Sequence, residues 1–224
     1  MKTLVLKRNS TNLFLLIFFI ASSLSFSQNI GSSASIDIND IYLPFSNKGV
    51  IADIDVTPIG SYGQFAGAAF LFSSGFWLSG YTSDSLWANG VATANLVEDY
   101  IAGTEGMDPN DSIASIYKVT SLDIPFDTSW QDWSDAVDLG ADFYDGNGDG
   151  IYNPVDLNGN NQWDPDEDMP DLLLDETYWC VYNDGKPANQ RRWEAEPQGL
   201  KSGRQYLLKP PLLQLQMLCS YVTD

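Results

Sequence analysis

The sequence contains no histidine. That absence excludes a Ser-His-Asp or Cys-His nucleophile, a His general base and zinc sites built on imidazole. Bases are scarce: 11 Lys and Arg stand against 30 Asp and Glu, a net charge of −19. A nucleic-acid surface needs clustered Lys and Arg to displace counterions, so nucleic acid is excluded as a partner. An anionic membrane surface is disfavoured on the same ground. The two cysteines, Cys180 and Cys219, cannot build a disulfide framework. Their pairing in an oxidising compartment stays open, beside the reading of Cys180 as a buried apolar filler. Lys201-Ser202 lacks the glycine frame of a phosphate loop. Long helical periodicity is missing too, as is any internal repeat of domain-building length.

What remains is apolar enough to fold. The 224 residues are 44% hydrophobic and 13% aromatic, which suits one sizeable domain or two small ones. Residues 1–27 carry three bases (Lys2, Lys7, Arg8), an apolar run from Leu13 to Ala21, and small residues at Ser25 and Ser27. This is the pattern of a secretory signal peptide cleaved after Ser27. The apolar run is about half the ~20 residues that span a bilayer, and no membrane span is expected after cleavage. The mature chain then has 8 bases against 30 acids, net −22. The expected location is secreted, extracellular or cell-surface, where calcium is abundant enough for weak sites to fill.

Residues 28–199 read as a mainly β, antiparallel, sandwich-like domain with a long acidic loop. SIDINDIYL (35–43) and GVIADIDV (49–56) alternate apolar and polar residues. GAAFLF (67–72) and GFWLSGY (75–81) read as the two arms of a hairpin through the core. Asn89-Gly90 is a two-residue turn signal. IYKVTSL (116–122) and TYWCVYN (177–183) are further strands, and SWQDWSDAV (129–137) forms one or two helical turns. Residues 200–224 depart from the rest: the segment is Leu- and Gln-rich, contains Pro210-Pro211 and has a single acid at its end. It is read as an atypical tail, frameshifted or truncated, with the natural chain expected to continue.

The acids cluster. No Lys or Arg lies between Lys118 and Lys186, and Asp132–Glu176 holds 14 acids. Asp145–Asp168 packs seven acids, five Asn and four Gly into 24 residues. Side by side those carboxylates repel, by roughly 1 kcal/mol for each pair ~4 Å apart even in water. The spacing suggests what offsets it. A calcium loop of EF-hand type takes oxygens from positions 1, 3, 5, 7, 9 and 12, with Gly at 6. Starting at Asp145, these positions hold Asp145, Asn147, Asp149, the Ile151 carbonyl, Asn153 and Asp156, with Gly150 at 6. Starting at Asp156, they hold Asp156, Asn158, Asn160, the Gln162 carbonyl, Asp164 and Glu167, with Asn161 at 6. The frames share Asp156, read as a bridge between two Ca²⁺ ions. Position 8 is Tyr152 in one and Trp163 in the other, aromatic pins for the loops. Pro154, Pro165 and Pro170 exclude a long exit helix and hence a regulatory EF-hand pair. The solvated Asn/Gly/Asp turn without an ion is the plainer alternative.

Seven tryptophans (Trp77, Trp87, Trp130, Trp133, Trp163, Trp179, Trp193) and abundant carboxylates permit a carbohydrate-binding or glycoside-hydrolysing module as the alternative function. Arg191-Arg192-Trp193 reads as a surface ion-pairing site for Glu194, Glu196 or the acidic run, with anion recognition as the alternative. The stretch from Asp142 to Gly199, with its acidic loop and YWCVYND, resembles a segment near the start of large secreted proteins of bacteria that use the type IX secretion system. GAAFLFSSGFWLSGY is similar to their aromatic strand pair, and the loop resembles the helix-poor calcium loops of thrombospondin type 3 repeats. The resemblance implies export and surface residence and no catalytic residues. The expectation is a non-enzymatic, calcium-stapled β-domain with a structural or binding role, whose partners are calcium and either polysaccharide or other surface proteins.

Overall fold

The computed structural model describes residues 29–54, 62–75, 77–82, 84–90, 100–191, 196–208 and 216–223. The expected signal peptide, Trp193 and Glu194 lie outside them. Among the described residues the chain is mainly β and every strand pairing is antiparallel. No described helix is long and apolar enough to cross a membrane.

β1 (Asn29–Gly31) precedes a hairpin that the sequence showed as one run: β2 (Ser33–Ile38) turns into β3 (Ile41–Ser46). Asn39 and Asp40 make the turn with φ of 52° and 63°. Two consecutive left-handed residues match the twist of the flanking strands, and Asn and Asp accept that conformation at low cost. β4 (Gly63–Phe65) and β5 (Ala68–Leu71) extend this sheet in the order β2-β3-β4-β5. Between β3 and β4, Ile51 makes isolated bridges to Phe45 and Ser74, and Ala52 and Asp53 adopt positive φ, so the described part of GVIADIDV, residues 49–54, is not a strand.

The aromatic segments pair differently from the expected hairpin. β6 (Trp77–Thr82) pairs with β7 (Ser85–Gly90) in a separate two-stranded ribbon, while β5 pairs with β4. The ribbon's last pair is Thr82 with Ser85, and Asn89-Gly90 closes β7 opposite Trp77 and Leu78. Gly90 is used there for close approach: an added Cβ would lie 3.0 Å from the Trp77 ring. Asn89 is drawn inward by buried hydrogen bonds, which outweigh its turn propensity.

β8 (Ile101–Ala102) and β9 (Ile116–Thr120) belong to the main sheet, followed by α1 (Thr128–Asp138), three turns where one or two were expected. Asp127 caps its start by accepting from Thr128 N at 2.7 Å. β10 (Phe143–Tyr144) and β11 (Met169–Pro170) form a two-pair ribbon. β12 (Glu176–Asn183) is the centre of the main sheet, ordered β1-β9-β12-β13-β14 with β8 also beside β12. β13 (Leu200–Leu208) and β14 (Gln216–Thr223) are the segments read as an atypical tail. They form strands because β13 finds β12 over eight residue pairs, and that pairing overrides a weak local pattern.

Alternation along β12 builds two cores. Tyr178, Cys180 and Tyr182 face Ile36, Leu43, Phe45 and Ile116, so the smaller sheet packs on one face of the larger. Trp179 and Val181 face Tyr117, Val119, Trp133, Ala136 and Leu139, so α1 covers the other face. The register sets Cys180 and Cys219 both opposite Arg204, one strand on either side of it.

Candidate functional site: the paired acidic loops

The β10–β11 ribbon closes the neck of residues 145–168, with Tyr144 opposite Met169. Both calcium-type frames therefore hang from one two-residue clasp beside α1.

Inside, the two frames repeat the same hydrogen bonds. Asp145 Oδ1 accepts from Gly148 N at 2.7 Å and Asp149 N at 3.2 Å, and its Oδ2 from Gly150 N at 2.8 Å. Eleven residues on, Asp156 Oδ1 accepts from Gly159 N at 2.7 Å and Asn160 N at 3.2 Å, and its Oδ2 from Asn161 N at 2.7 Å. Asn147 Oδ1 accepts from Asp149 N at 2.8 Å, and Asn158 Oδ1 from Asn160 N at 3.0 Å. Asp149 Oδ1 accepts from Ile151 N, and Asn160 Oδ1 from Gln162 N. Position 4 is glycine in both, with φ of 76° at Gly148 and Gly159. Position 6 is left-handed in both, 76° at Gly150 and 58° at Asn161, so Asn substitutes for Gly there.

The closing acids differ from the expected set. Glu167 closes the second loop as expected: Oε1 accepts from Leu157 N at 2.7 Å and Oε2 from Asp164 N at 2.9 Å. The matching role in the first loop falls to Asp168. Its Oδ1 accepts from Gly146 N at 3.0 Å and its Oδ2 from Asn153 N at 2.8 Å. In each loop one carboxylate thus ties the nitrogens of positions 2 and 9. Asp156, read as a bridge between two ions, makes in its own loop the same three backbone contacts that Asp145 makes in the first. Asp168 was missed because it lies outside the 12-residue frame. The repeated Asp-x-Asn-Gly at 145–148 and 156–159 was the available signal that two equivalent loops each need their own closing acid.

Both closing carboxylates are buried, Glu167 at 2% exposure and Asp168 at 1%. The ion pairs among the described residues are Lys118–Glu176 and Arg191–Asp184, and neither involves Glu167 or Asp168. The rest of the set is half-buried (Asp145, Asp156, Asp164) or exposed (Asn147, Asp149, Ile151, Asn153, Asn158, Asn160, Gln162). Asp164 Oδ2 accepts from Asn158 Nδ2 at 2.6 Å and Asn160 Nδ2 at 2.9 Å. Backbone donors, Asn161 N foremost, hold the Asp156 carboxyl below the usual carboxylate range; desolvation, the second-largest effect, opposes them, and Gly159, Asn160 and Asn158 N add to the lowering. Among the described residues, no group of three or more His, Cys, Asp or Glu side chains is gathered as a ready metal centre.

The position-8 aromatics anchor the loops. Tyr152 OH donates to Trp130 O at 2.8 Å, and its ring meets Phe143 edge-on at 5.3 Å. Burial, then the nearby Asp168 charge, raises the Tyr152 phenol well above its usual range. Trp163 Nε1 donates to Glu167 O at 2.9 Å, and its ring meets Tyr144 at 5.5 Å. Gly146 sits so close to the Glu167 backbone that any Cβ there would collide with it.

A second polar centre corrects the reading of Arg191 as a surface ion-pairing residue. Arg191 Nη2 donates to Asp184 O at 2.5 Å and Oδ2 at 3.1 Å, with both side chains buried. Asp184 also accepts from Asn89 Nδ2, Gln198 N and Leu200 N, and Asn89 Oδ1 accepts from Tyr100 OH at 2.6 Å. This network joins β7, β12 and the start of β13.

Compared with known proteins, the chain matches no family model, no curated protein and no solved structure.

Proposed function

We propose that the chain is a secreted, calcium-stabilised β-domain of a cell-surface or extracellular protein, with a structural or binding role. One observation carries the reading: Glu167 and Asp168 are adjacent, buried and without a Lys or Arg partner among the described residues. Isolating a carboxylate from water costs several kcal/mol. Backbone donors offset part of this, about 1.5–3 kcal/mol for each bond to a charged group. Two such charges side by side, inside a loop that holds five more acids, still call for a cation. A carboxylate offers about four lone-pair sites. Glu167 and Asp168 each use two on backbone nitrogens and Asp145 uses three, so oxygens remain for an ion. An all-oxygen, mixed carboxylate–amide–carbonyl set suits Ca²⁺, and the flexible donor number disfavours Mg²⁺. The export pattern of residues 1–27 and the resemblance to surface proteins of type IX secretion bacteria support the location.

Titration calorimetry on the chain from residue 28 tests this. Saturable Ca²⁺ uptake is expected, abolished in the first loop by Asp168→Asn and in the second by Glu167→Gln. No uptake at about millimolar Ca²⁺, the range of extracellular modules, contradicts it.

The carbohydrate-binding alternative is favoured by one observation. Trp77, Tyr81 and Leu86 share a face of the β6–β7 ribbon and are 60%, 76% and 68% exposed. Exposed aromatic faces are what sugars stack on. Binding of a neutral polysaccharide lost in Trp77→Ala would establish it, and no binding across a glycan array would remove it.

A further inference from the structure

The two loops carry an Asn-Gly pair at matching positions, Asn147-Gly148 and Asn158-Gly159, and a third pair, Asn89-Gly90, ends β7. In such a pair no side chain hinders the glycine nitrogen. That nitrogen attacks the Asn Cγ, ammonia leaves, and a five-membered succinimide forms. Water then opens the ring to Asp or, with the chain rerouted through the side chain, to isoaspartate. The nucleophile is the deprotonated amide. We propose that Asn147 and Asn158 are deamidation sites gated by the opening of their loops, and that Asn147 converts first.

In the closed loops both nucleophiles are held. Gly148 N donates to Asp145 Oδ1 and Gly159 N to Asp156 Oδ1, each at 2.7 Å. A carboxylate against the N–H disfavours the amide anion and fixes the nitrogen in its turn, so conversion proceeds from a locally opened loop. The two asparagines differ in the leaving group. Asn158 Nδ2 donates to Asp164 Oδ2 at 2.6 Å, whereas the Asn147 amide nitrogen donates to nothing among the described residues. Asn158 is therefore pinned at both ends and Asn147 at one. Asn89 is 1% exposed and its side chain is bonded to Asp184 and Tyr100, so it stays intact. Isoaspartate at position 3 adds a backbone carbon before Gly148 or Gly159 and moves that nitrogen off its carboxylate, which loosens the loop irreversibly. The inference goes beyond the cation reading, since it stands on the loops' own hydrogen bonds.

The test is peptide mass mapping after incubation of the chain from residue 28 at mildly alkaline pH, folded and in urea. Folded, Asn147 is expected to convert faster than Asn158 by roughly tenfold to a hundredfold, the worth of one hydrogen bond to a charged group, with Asn89 unchanged. In urea the three rates converge. Equal folded rates at Asn147 and Asn158, or folded rates for both as fast as in urea, overturn the proposal. In Asp164→Ala, which frees the Asn158 amide, Asn158 is expected to reach the Asn147 rate; no acceleration there overturns the assigned pin.

Discussion

At the scale of single residues, the account turns on carboxylates whose surroundings give them different tasks. Asp184 is paired, buried and accepts from four separate groups. Asp184→Ala removes the buried carboxylate that the buried Arg191 guanidinium faces. The expected cost is about 3–5 kcal/mol, a drop of roughly 6–20 °C in melting temperature by differential scanning calorimetry. Asp156 is different: half-exposed, and held ionised by backbone donors. Its folded pKa lies below the unfolded one, so its contribution is present above the ordinary carboxylate range and is lost as pH falls through the depressed value. Amide exchange at Gly159, Asn160 and Asn161 should accelerate once Asp156 protonates and not before. The sequence exposed Asp156 by its spacing. It hid Asp184 and Asp168, because burial and partner are properties of the fold and not of the neighbouring letters.

At the scale of elements, α1 carries charge against its own dipole. Asp132, Asp135 and Asp138 run toward its C-terminal end, where negative charge is unfavourable. Partial burial, then repulsion from Asp132, Asp138 and Asp111, raises the Asp135 carboxyl above its usual range. A raised acid destabilises the fold while ionised and is relieved as pH falls through its folded pKa. Asp135→Asn should therefore stabilise the chain at neutral pH, by less than about 1 kcal/mol for so exposed a group, and the gain should vanish in acid. Lys201 of β13 offers partial compensation: its Nζ would lie 3.2 Å from a Cβ added at Gly140, just past the helix end. The two loops are pressed together at Gly146, so Gly146→Ala should break their contact; circular dichroism should show the main sheet retained while Trp163 fluorescence shifts.

Element boundaries illustrate what patterning can and cannot carry. β9 and β12 were legible because apolar, β-branched and aromatic residues crowd between turn signals. The pairing of β6 with β7, and not with β5, was illegible. Asn89 looks like a turn residue until Tyr100 and Asp184, both distant in sequence, supply its partners. β13 and β14 show no clean alternation and are strands by virtue of the neighbour each finds.

At the scale of the whole molecule, a mainly β chain of net charge −19 has placed 14 of its 30 acids, and no base, in Asp132–Glu176. Fold class was readable from composition and run length, since many short β-type runs admit few other architectures. The repeated turns were readable from oxygen spacing, and so was Glu167 as the closing acid of the second loop; that Asp168 closes the first only the structure revealed. The account's central claim is that a cation completes those loops. Its most direct measurement is the melting temperature of the chain from residue 28, with EDTA and with calcium near 1 mM, for the native sequence and for Asp168→Asn. At about 1 mM calcium a site with Kd of about 0.1 mM is worth about 1.4 kcal/mol, or roughly 3–6 °C for a chain this size. A rise of several degrees in the native chain, diminished in Asp168→Asn, is the predicted result; identical melting in EDTA and calcium would contradict it.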